Sequence, residues 1–461
     1  MNNHEKYFSN SSLEEIFNFK IIKNKSKGID KRTHRSYSEK TVRTELFLAI
    51  QTKISSEKYR FSPYLELLRI KSRKSIPRMI SIPTVRDKIV LQALKNYLHD
   101  FFPDCINKEQ PNSYIRKLKN FIKINKNEEI FYLKTDIHQY YDTIDRKKLK
   151  KYIEEKSKNQ YINDLVFSAI KNPTVPANYK RSNIDLYKLK KGIPQGLPIS
   201  NILAQIYLRD FDVFIFEMID KNTLYLRYVD DILILSTNEC SDYLNNIKEK
   251  AKKLGLKLNT DKTILGKLSE SIDFLGYLIT DTNASISKQT IENQINKIAG
   301  KITWFKKGIE NPNYRPIKYR EDTRGFSKQF IKEVNEIITG SRSENKNYGW
   351  LFYYIEVDDI SVFYKLDSSI AHMIKKIGFF EGKVPSQLKK TVTAYNEIKY
   401  NQDSNYINDY TKYKTVKQKE KLLKEFSQLN EQKDYSNEEI ENLFEDYKNK
   451  KIKLLNEDIV Y

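Results

Sequence analysis

Cysteine is nearly missing from this chain: Cys105 and Cys240 are the only two in 461 residues. Two thiols cannot make a zinc site by themselves, and one bridge would be a poor scaffold for so long a chain. A reducing, cytoplasmic setting is the expectation. Long apolar runs are missing too. No stretch of about 18 or more apolar residues occurs, so no membrane span is expected. The opening residues, MNNHEKYFSNSSLEEIF, hold no apolar run resembling a signal peptide. Negative charge is in deficit. The 60 acidic side chains face 82 lysines and arginines, a formal net charge of +22. Such an excess opposes compaction unless something anionic offsets it, and nucleic acid is the leading partner. A merely lysine-rich surface is the plainer alternative. What is present suffices for a core: 39% of residues are hydrophobic and 12% aromatic, which argues against disorder. A chain of this length holds roughly two to four domains.

Along the chain, Lys23 to Arg35 reads as an exposed basic loop. Tyr59, Phe61 and Pro63 precede a basic run of Arg69, Lys71, Arg73, Lys74 and Arg78, and alternation around Ile80 and Ile82 predicts strands closing a hairpin. Ile89, Val90, Ala93, Leu94, Tyr97, Leu98 and Phe101 recur at helical spacing, and Pro103 stops that helix. The centre alternates strand and helix. Residues 130–133 form a strand running into Asp136, and residues 200–218 a helix. Residues 224–235 form two strands broken by Asp230 and Asp231, and 241–254 an amphipathic helix. A strand pair at 272–279 contains Gly276. Beyond residue 285 lysine and asparagine rise and the patterning turns helical. Residues 308–327 read as a linker or loop and 347–380 as aromatic and apolar. From 411 the pattern is that of charged amphipathic helices, the last opened by a Ser436/Glu439 capping box.

Three constellations carry chemistry. In YLKTDIHQYYDTID (132–145), Asp136 ends an apolar strand, where a carboxylate either caps the backbone or projects into a cleft. In KGIPQGLPIS (191–200), glycine and proline make a tight loop that lets backbone approach a ligand. In LRYVDDILIL (226–235), two adjacent carboxylates sit between apolar strands. Like charges so close repel, and they cluster where cations offset them or where the turn is simply solvated.

Taken in order, these three segments resemble motifs A, B and C of the reverse transcriptase palm. The resemblance extends outward. RMISIPTVRDKIV (78–90), with Tyr59, Phe61 and Pro63 before it, is similar to the fingers of group II intron and retron enzymes. LGLKLNTDKT (254–263) is similar to motif D, and IDFLGYLI (272–279) to motif E, the primer grip. In that family a lysine often stands two residues before the fingers arginine; Ile76 stands there, with Lys74 nearby as a substitute. Neither the Cys and His of a zinc-bearing endonuclease nor an RNase H carboxylate set is evident after residue 285. The segment 349–367 resembles C-terminal regions of bacterial defence-associated reverse transcriptases.

The resemblance implies an α+β right-hand polymerase. Its parts would be a basic extension at 1–58, fingers and palm at 59–284, a helical thumb-like region at 285–400 and charged helices at 401–461. It implies two Mg²⁺ ions held by Asp136, Asp230, Asp231 and the backbone carbonyl of Ile137. Lys262 would protonate the pyrophosphate, unless it is an ordinary surface lysine. Lys74 and Arg78 would bind triphosphate. Tyr141 would stack under the sugar and exclude a 2′-hydroxyl, Tyr140 being a core aromatic. Gln195 and Gly196 would line the nucleotide and template side, and Tyr228, Leu275 and Gly276 the primer end. The expected partners are dNTPs, the DNA product, an RNA template such as a structured noncoding RNA, and a second copy of the chain. The favoured setting is antiphage defence, with a retron or intron enzyme or a non-templated, protein-primed DNA polymerase as alternatives. The last draws on tail tyrosines Tyr406, Tyr410, Tyr413, Tyr435, Tyr447 and Tyr461.

Overall fold

The computed structural model describes residues 5–24, 26–69, 77–401, 404–430 and 433–456. Lys71, Arg73, Lys74, Ile76 and Tyr461 lie outside the described residues. The chain divides into two compact units: Met1–Lys108 with Phe131–Gly266, and Glu109–Ile130 with Lys267–Tyr461.

In the first unit, β1 (Tyr64–Arg69) and β2 (Arg78–Ile82) form the expected antiparallel hairpin, with Leu65 opposite Ile82. Tyr59 and Ser62 lock its entry onto Asp87: the Tyr59 hydroxyl (2.7 Å) and the Ser62 N–H (3.0 Å) each donate to one carboxylate oxygen. Thr84 caps the next helix, Val85–Phe101, by accepting from the Asp87 N–H. Ile89, Val90, Leu91, Ala93, Leu94 and Leu98 are all fully buried. Asp87 and Lys88 are buried as well, so the helix is enclosed on most of its sides by the core. Pro103 begins the short turn that ends it.

The second sheet holds β3 (Phe131–Asp136), β5 (Thr223–Tyr228), β6 (Asp231–Ser236) and β7 (Ile264–Lys267) in the order β5-β6-β3-β7, while β4 (Thr174–Val175) pairs with β1. Leu133, Ile232 and Ile234 share one apolar core with Leu203, Ile206 and Phe211 of the helix Ser200–Met218. Leu13, Ile16 and Phe17, spaced three and four apart, enter that core with Tyr7, Phe8, Phe47 and Ile50. Residues read from the sequence as a basic extension therefore supply a buried face to this unit.

The second unit begins with β8 (Ile272–Phe274), β9 (Tyr277–Ile279) and β10 (Ala284–Ile286), a meander. The long helices Lys288–Glu310, Thr323–Thr339 and Ser361–Lys375 follow, with shorter ones at Trp350–Tyr353 and Thr391–Tyr400. The loop expected over 308–327 is shorter, because helices run into it from both sides and only the stretch with Pro312 and Pro316 breaks them. Stacked rings bind this bundle, Phe305 on Phe330 at 4.3 Å and on Phe380 at 5.5 Å between centroids. A small sheet joins β11 (Ser341–Ser343), β12 (Lys346–Tyr348) and β13 (Asn408–Asp409). Helix Pro111–Ile124, from mid-chain, is tied here by Arg116 to Glu356 and Lys119 to Asp358, both 2.6 Å. The final helix pair, Val416–Glu425 and Asn437–Asn456, encloses Leu422, Leu423, Phe426, Ile440 and Phe444. Both bonds of the Ser436/Glu439 capping box are present. Among the described residues no helix is long and apolar enough to cross a membrane. Cys105 and Cys240 are free, and burial pushes each thiol up to about 11.

Candidate active site

The three acidic residues singled out in the sequence converge on one end of the second sheet. Asp136 closes β3 and stands directly opposite Asp231, the first residue of β6. Tyr228 pairs with Asp231 across the β5–β6 hairpin, so Val229 and Asp230 are its two-residue turn. The Ile137 N–H donates to the Asp230 carbonyl at 3.2 Å, which ties that turn to the end of β3. Val229 has φ +59°, at the turn position that type II′ hairpins give to glycine. A β-branched residue there is strained.

The electrostatics follow from this crowding. Burial, the charge of Asp230 and then that of Asp136 push Asp231 up to about 6. Burial and the Asp136 charge raise Asp230 as well, against a backbone hydrogen bond that lowers it. Asp136 is 5% exposed, and its Oδ1 is buried with no hydrogen-bond partner. Its Oδ2 accepts from the Lys262 ammonium. Burial lowers that ammonium's pKa, but the Asp136 hydrogen bond and the three carboxylate charges outweigh it and raise it. Lys262 comes from a short turn pinned to the strand end, where Asn259 N–H donates to the Asp136 carbonyl (2.9 Å) and His138 N–H to the Lys257 carbonyl (2.8 Å). The Ile137 carbonyl lies between these two bonds and takes part in neither.

The donor chemistry fits a hard divalent cation. Three carboxylates and a carbonyl offer oxygen only, as Mg²⁺ prefers, and a buried, unpartnered carboxylate oxygen is the observation that supports it. Among the described residues no three His, Cys, Asp or Glu side chains close into a ready-made metal cage. The set is an open cluster with Lys262 seated on one of its oxygens.

Around the cluster lie the other candidates of this unit. Tyr141 is pushed up to about 12 by burial and the Asp230 charge, and the Arg78 guanidinium acts against that rise. Arg78 also lowers Asp142 and Asp230 by its charge, so it lies within electrostatic reach of both. The Gln195 carbonyl accepts from Ser81 N–H of β2 at 2.8 Å, and its side chain meets Asp142. Gly196 has φ +95°, and a Cβ there would sit 2.5 Å from Ile80 Cγ2. Tyr140 is buried and donates to the Ala204 carbonyl, a core aromatic as expected. Tyr228 is half-buried at the end of β5. Lys74 lies outside the described residues. Leu275 and Gly276 belong to the second unit. They make the turn between β8 and β9, with φ +50° and +78°, and Tyr353 donates to the Leu275 carbonyl at 3.1 Å.

Arg146 escaped the sequence reading. Its guanidinium donates to the carbonyls of Gly192 (2.6 Å), Leu189 (2.9 Å) and Ile170 (3.1 Å) and so anchors the loop that carries Gln195. The sequence shows only one more basic residue opening a lysine-rich helix.

Residues 70–279 match the family model described as reverse transcriptase (RNA-dependent DNA polymerase). The COX1/OXI3 intron 2 protein of Saccharomyces cerevisiae is 23% identical over 295 residues, covering 49% of this chain and 33% of that protein. The group II intron-encoded protein LtrA of Lactococcus lactis subsp. cremoris is 24% identical over 233 residues, covering 50% of this chain and 37% of that one. The chain thus matches about a third of each relative's length. A telomerase structure from Candida albicans, in complex with a fragment of telomeric RNA, is 16% identical with a TM-score of 0.41. That match covers 85% of this chain and 67% of the other.

Proposed function

We propose that this chain, in which residues 70–279 form a reverse transcriptase family segment, is an RNA-directed DNA polymerase that joins dNTPs by two-metal nucleotidyl transfer. The observation that carries the reading is the Asp136–Asp231 pairing, with Asp230 in the adjoining turn and a buried carboxylate oxygen left without a partner. Asp136, Asp230, Asp231 and the Ile137 carbonyl would hold two Mg²⁺ ions. Bound there, the ions would supply charge neutralisation at the attacking and leaving oxygens. Lys262 is held protonated beside Asp136 and would deliver a proton to the departing pyrophosphate. Arg78 would fork onto the triphosphate, with Lys74 as a second cation. Tyr141 would lie under the sugar. Gln195 and Gly196 would line the nucleotide and template side, and Tyr228 the primer end.

The template in this reading is a structured noncoding RNA and the setting cytoplasmic antiphage defence, supported by the likeness of residues 349–367 to defence-associated enzymes. The match to intron-encoded proteins over half the chain favours an intron-type or retron role as the second reading.

The test is primer extension on an RNA template with Mg²⁺ and either dNTPs or rNTPs. The wild type should extend with dNTPs. Asp136→Asn and Asp230→Asn should fall to background while melting no lower than wild type, because each relieves like-charge repulsion. Near-wild-type synthesis by either variant would sink the assignment, and preference for rNTPs would make the chain an RNA polymerase.

A further inference from the structure

The turn that presents Asp230 is strained, and something must hold it. Arg227, two residues before Val229 and three before Asp230, lies at the centre of a buried hydrogen-bond cluster. Its Nε donates to Asp212 Oδ1 at 2.7 Å, and one terminal nitrogen donates to Asp212 Oδ2 and to Gln205 Oε1, the latter at 2.8 Å. The other terminal nitrogen donates to the Val229 carbonyl at 2.7 Å. Tyr225 completes the cluster, its hydroxyl donating to Asp212 Oδ1 at 2.7 Å. The Arg227 side chain is 9% exposed.

Asp212 and Gln205 both lie on the helix Ser200–Met218, in the first unit with Arg227. That helix begins where the loop bearing Gln195 ends. The planar guanidinium therefore bridges a rigid helix and the carbonyl of the one β-branched residue forced to positive φ beside Asp230. Strain of this kind persists only where surrounding bonds over-determine the conformation. A lysine would place one point charge where the fork now satisfies four acceptor oxygens of three residues on two elements.

We infer that Arg227, braced by Asp212 and Gln205, is a positioning residue that locks the Val229–Asp230 turn and so sets where the Asp230 and Asp231 carboxylates lie. The inference rests on the polymerase reading for its kinetic consequence and on the turn geometry alone for its structural one. Misplacing a reacting group by about 1 Å costs about 10²-fold in rate. Arg227→Lys keeps a positive charge beside Asp212 but loses the reach to the Val229 carbonyl.

The experiment compares wild type with Arg227→Lys, Arg227→Met and a control, Tyr225→Phe, which removes a bond to the same Asp212 carboxylate without touching the turn. Two readouts are taken: steady-state extension of a DNA primer on a homopolymeric RNA template, and amide hydrogen exchange of the metal-free protein. Arg227→Lys should lose about 10²-fold in kcat with the dNTP KM within about threefold. Exchange should rise at residues 228–231 and not across the helix Val85–Phe101. Tyr225→Phe should stay within about twofold of wild type in both. If Arg227→Met does not fold, Arg227→Lys carries the comparison. A kcat for Arg227→Lys equal to that of Tyr225→Phe overturns the proposal, as does unchanged exchange at 228–231. If the wild type itself makes no DNA, the polymerase reading falls and exchange alone decides the positioning role.

Discussion

At the scale of single residues, the sequence left Lys262 open between surface charge and proton donor. The structure puts its ammonium on Asp136 and raises its pKa, so it stays charged in the neutral range. Lys262→Met should therefore lower kcat by about 10²-fold, the lower end for a lost general acid, with little change in dNTP KM. An unchanged kcat would return Lys262 to the surface-lysine class. Tyr141 is likewise positional. It is half-buried, within the fields of the Asp230 carboxylate and the Arg78 guanidinium. Tyr141→Ala should cut discrimination against ribonucleotides by about 10-fold or more, the size of effect that removing one steric contact gives. Side-by-side dNTP and rNTP incorporation measures it, and an unaltered ratio removes Tyr141 as the gate. The carboxylates were legible through the order of the three motif-like segments, since Asp136 alone also fits a strand-end cap and Asp230–Asp231 alone a solvated turn. Arg227 and Asp212 were not, since partners fifteen positions apart, on a helix and the strand after it, meet only in the fold.

Among elements, helices with complete apolar periodicity could be read to within a residue or two. Residues 200–218 became Ser200–Met218, and 241–254 became Ser241–Lys253. Legibility failed where polar residues diluted the pattern. Ile298, Ile302 and Phe305 are the buried apolar side chains of a helix otherwise crowded with lysine, asparagine and glutamine, with Gln294 and Gly308 also buried, so its end was read as loop. The hairpin β1–β2 gives an element-scale test. Its second strand meets the Gln195 loop through Gly196, where an added Cβ would strike Ile80 at an already left-handed φ. Gly196→Ala should cost about 2 kcal/mol in unfolding free energy, read by urea titration, and should lower kcat/KM for dNTPs. Helix Val85–Phe101 offers another. Burial lowers Lys88 to about 8, although the Asp30 charge and bonds to Ser26 Oγ (2.8 Å) and carbonyl (2.5 Å) favour the ammonium. Its folded pKa lies below the unfolded 10.5, so the unfolded chain binds more protons between these values and stability rises with pH there. The penalty is absent above 10.5 and complete once pH falls below about 8. Between pH 8 and 10.5 the wild type should gain on the order of 2–3 kcal/mol relative to Lys88→Met, a difference that two denaturation series would show.

For the molecule as a whole, charge and connectivity set the terms. With a net charge of +22, the RNA binding that the proposed function requires should weaken steeply with salt, as a titration of RNA affinity against ionic strength would show. The tail was open in the sequence between packing, self-association, RNA support and a source of priming tyrosines. Tyr410 and Tyr447 are buried, and Tyr410 donates to Glu336 at 2.5 Å, which withdraws these two from the priming candidates. Leu422, Leu423 and Phe426 face Ile440 and Phe444 instead of solvent. The final helix reaches back within its own unit. Lys451 pairs with Glu336 at 3.3 Å and Glu333 at 3.7 Å, and Lys448 with Glu344 at 3.3 Å. Glu333 and Glu336 are shielded carboxylates on the helix Thr323–Thr339, and removing the cation from a buried pair typically costs about 3–5 kcal/mol. Truncation after Tyr410 takes away Lys451 while leaving both carboxylates in place. Glu333 keeps Lys301, and Glu336 keeps Tyr410 and Ser341. The loss should therefore fall on Glu336 first. In calorimetry the truncated chain should lose or sharply lower the transition of the unit 109–130 with 267–410, while the transition of the unit 1–108 with 131–266 stays. Adding Glu336→Gln to the truncated chain should recover part of that loss, because a neutral amide needs no counter-charge. A truncated chain that melts as wild type, or one that Glu336→Gln leaves unimproved, would show that the tail's ion pairs do not hold this unit together.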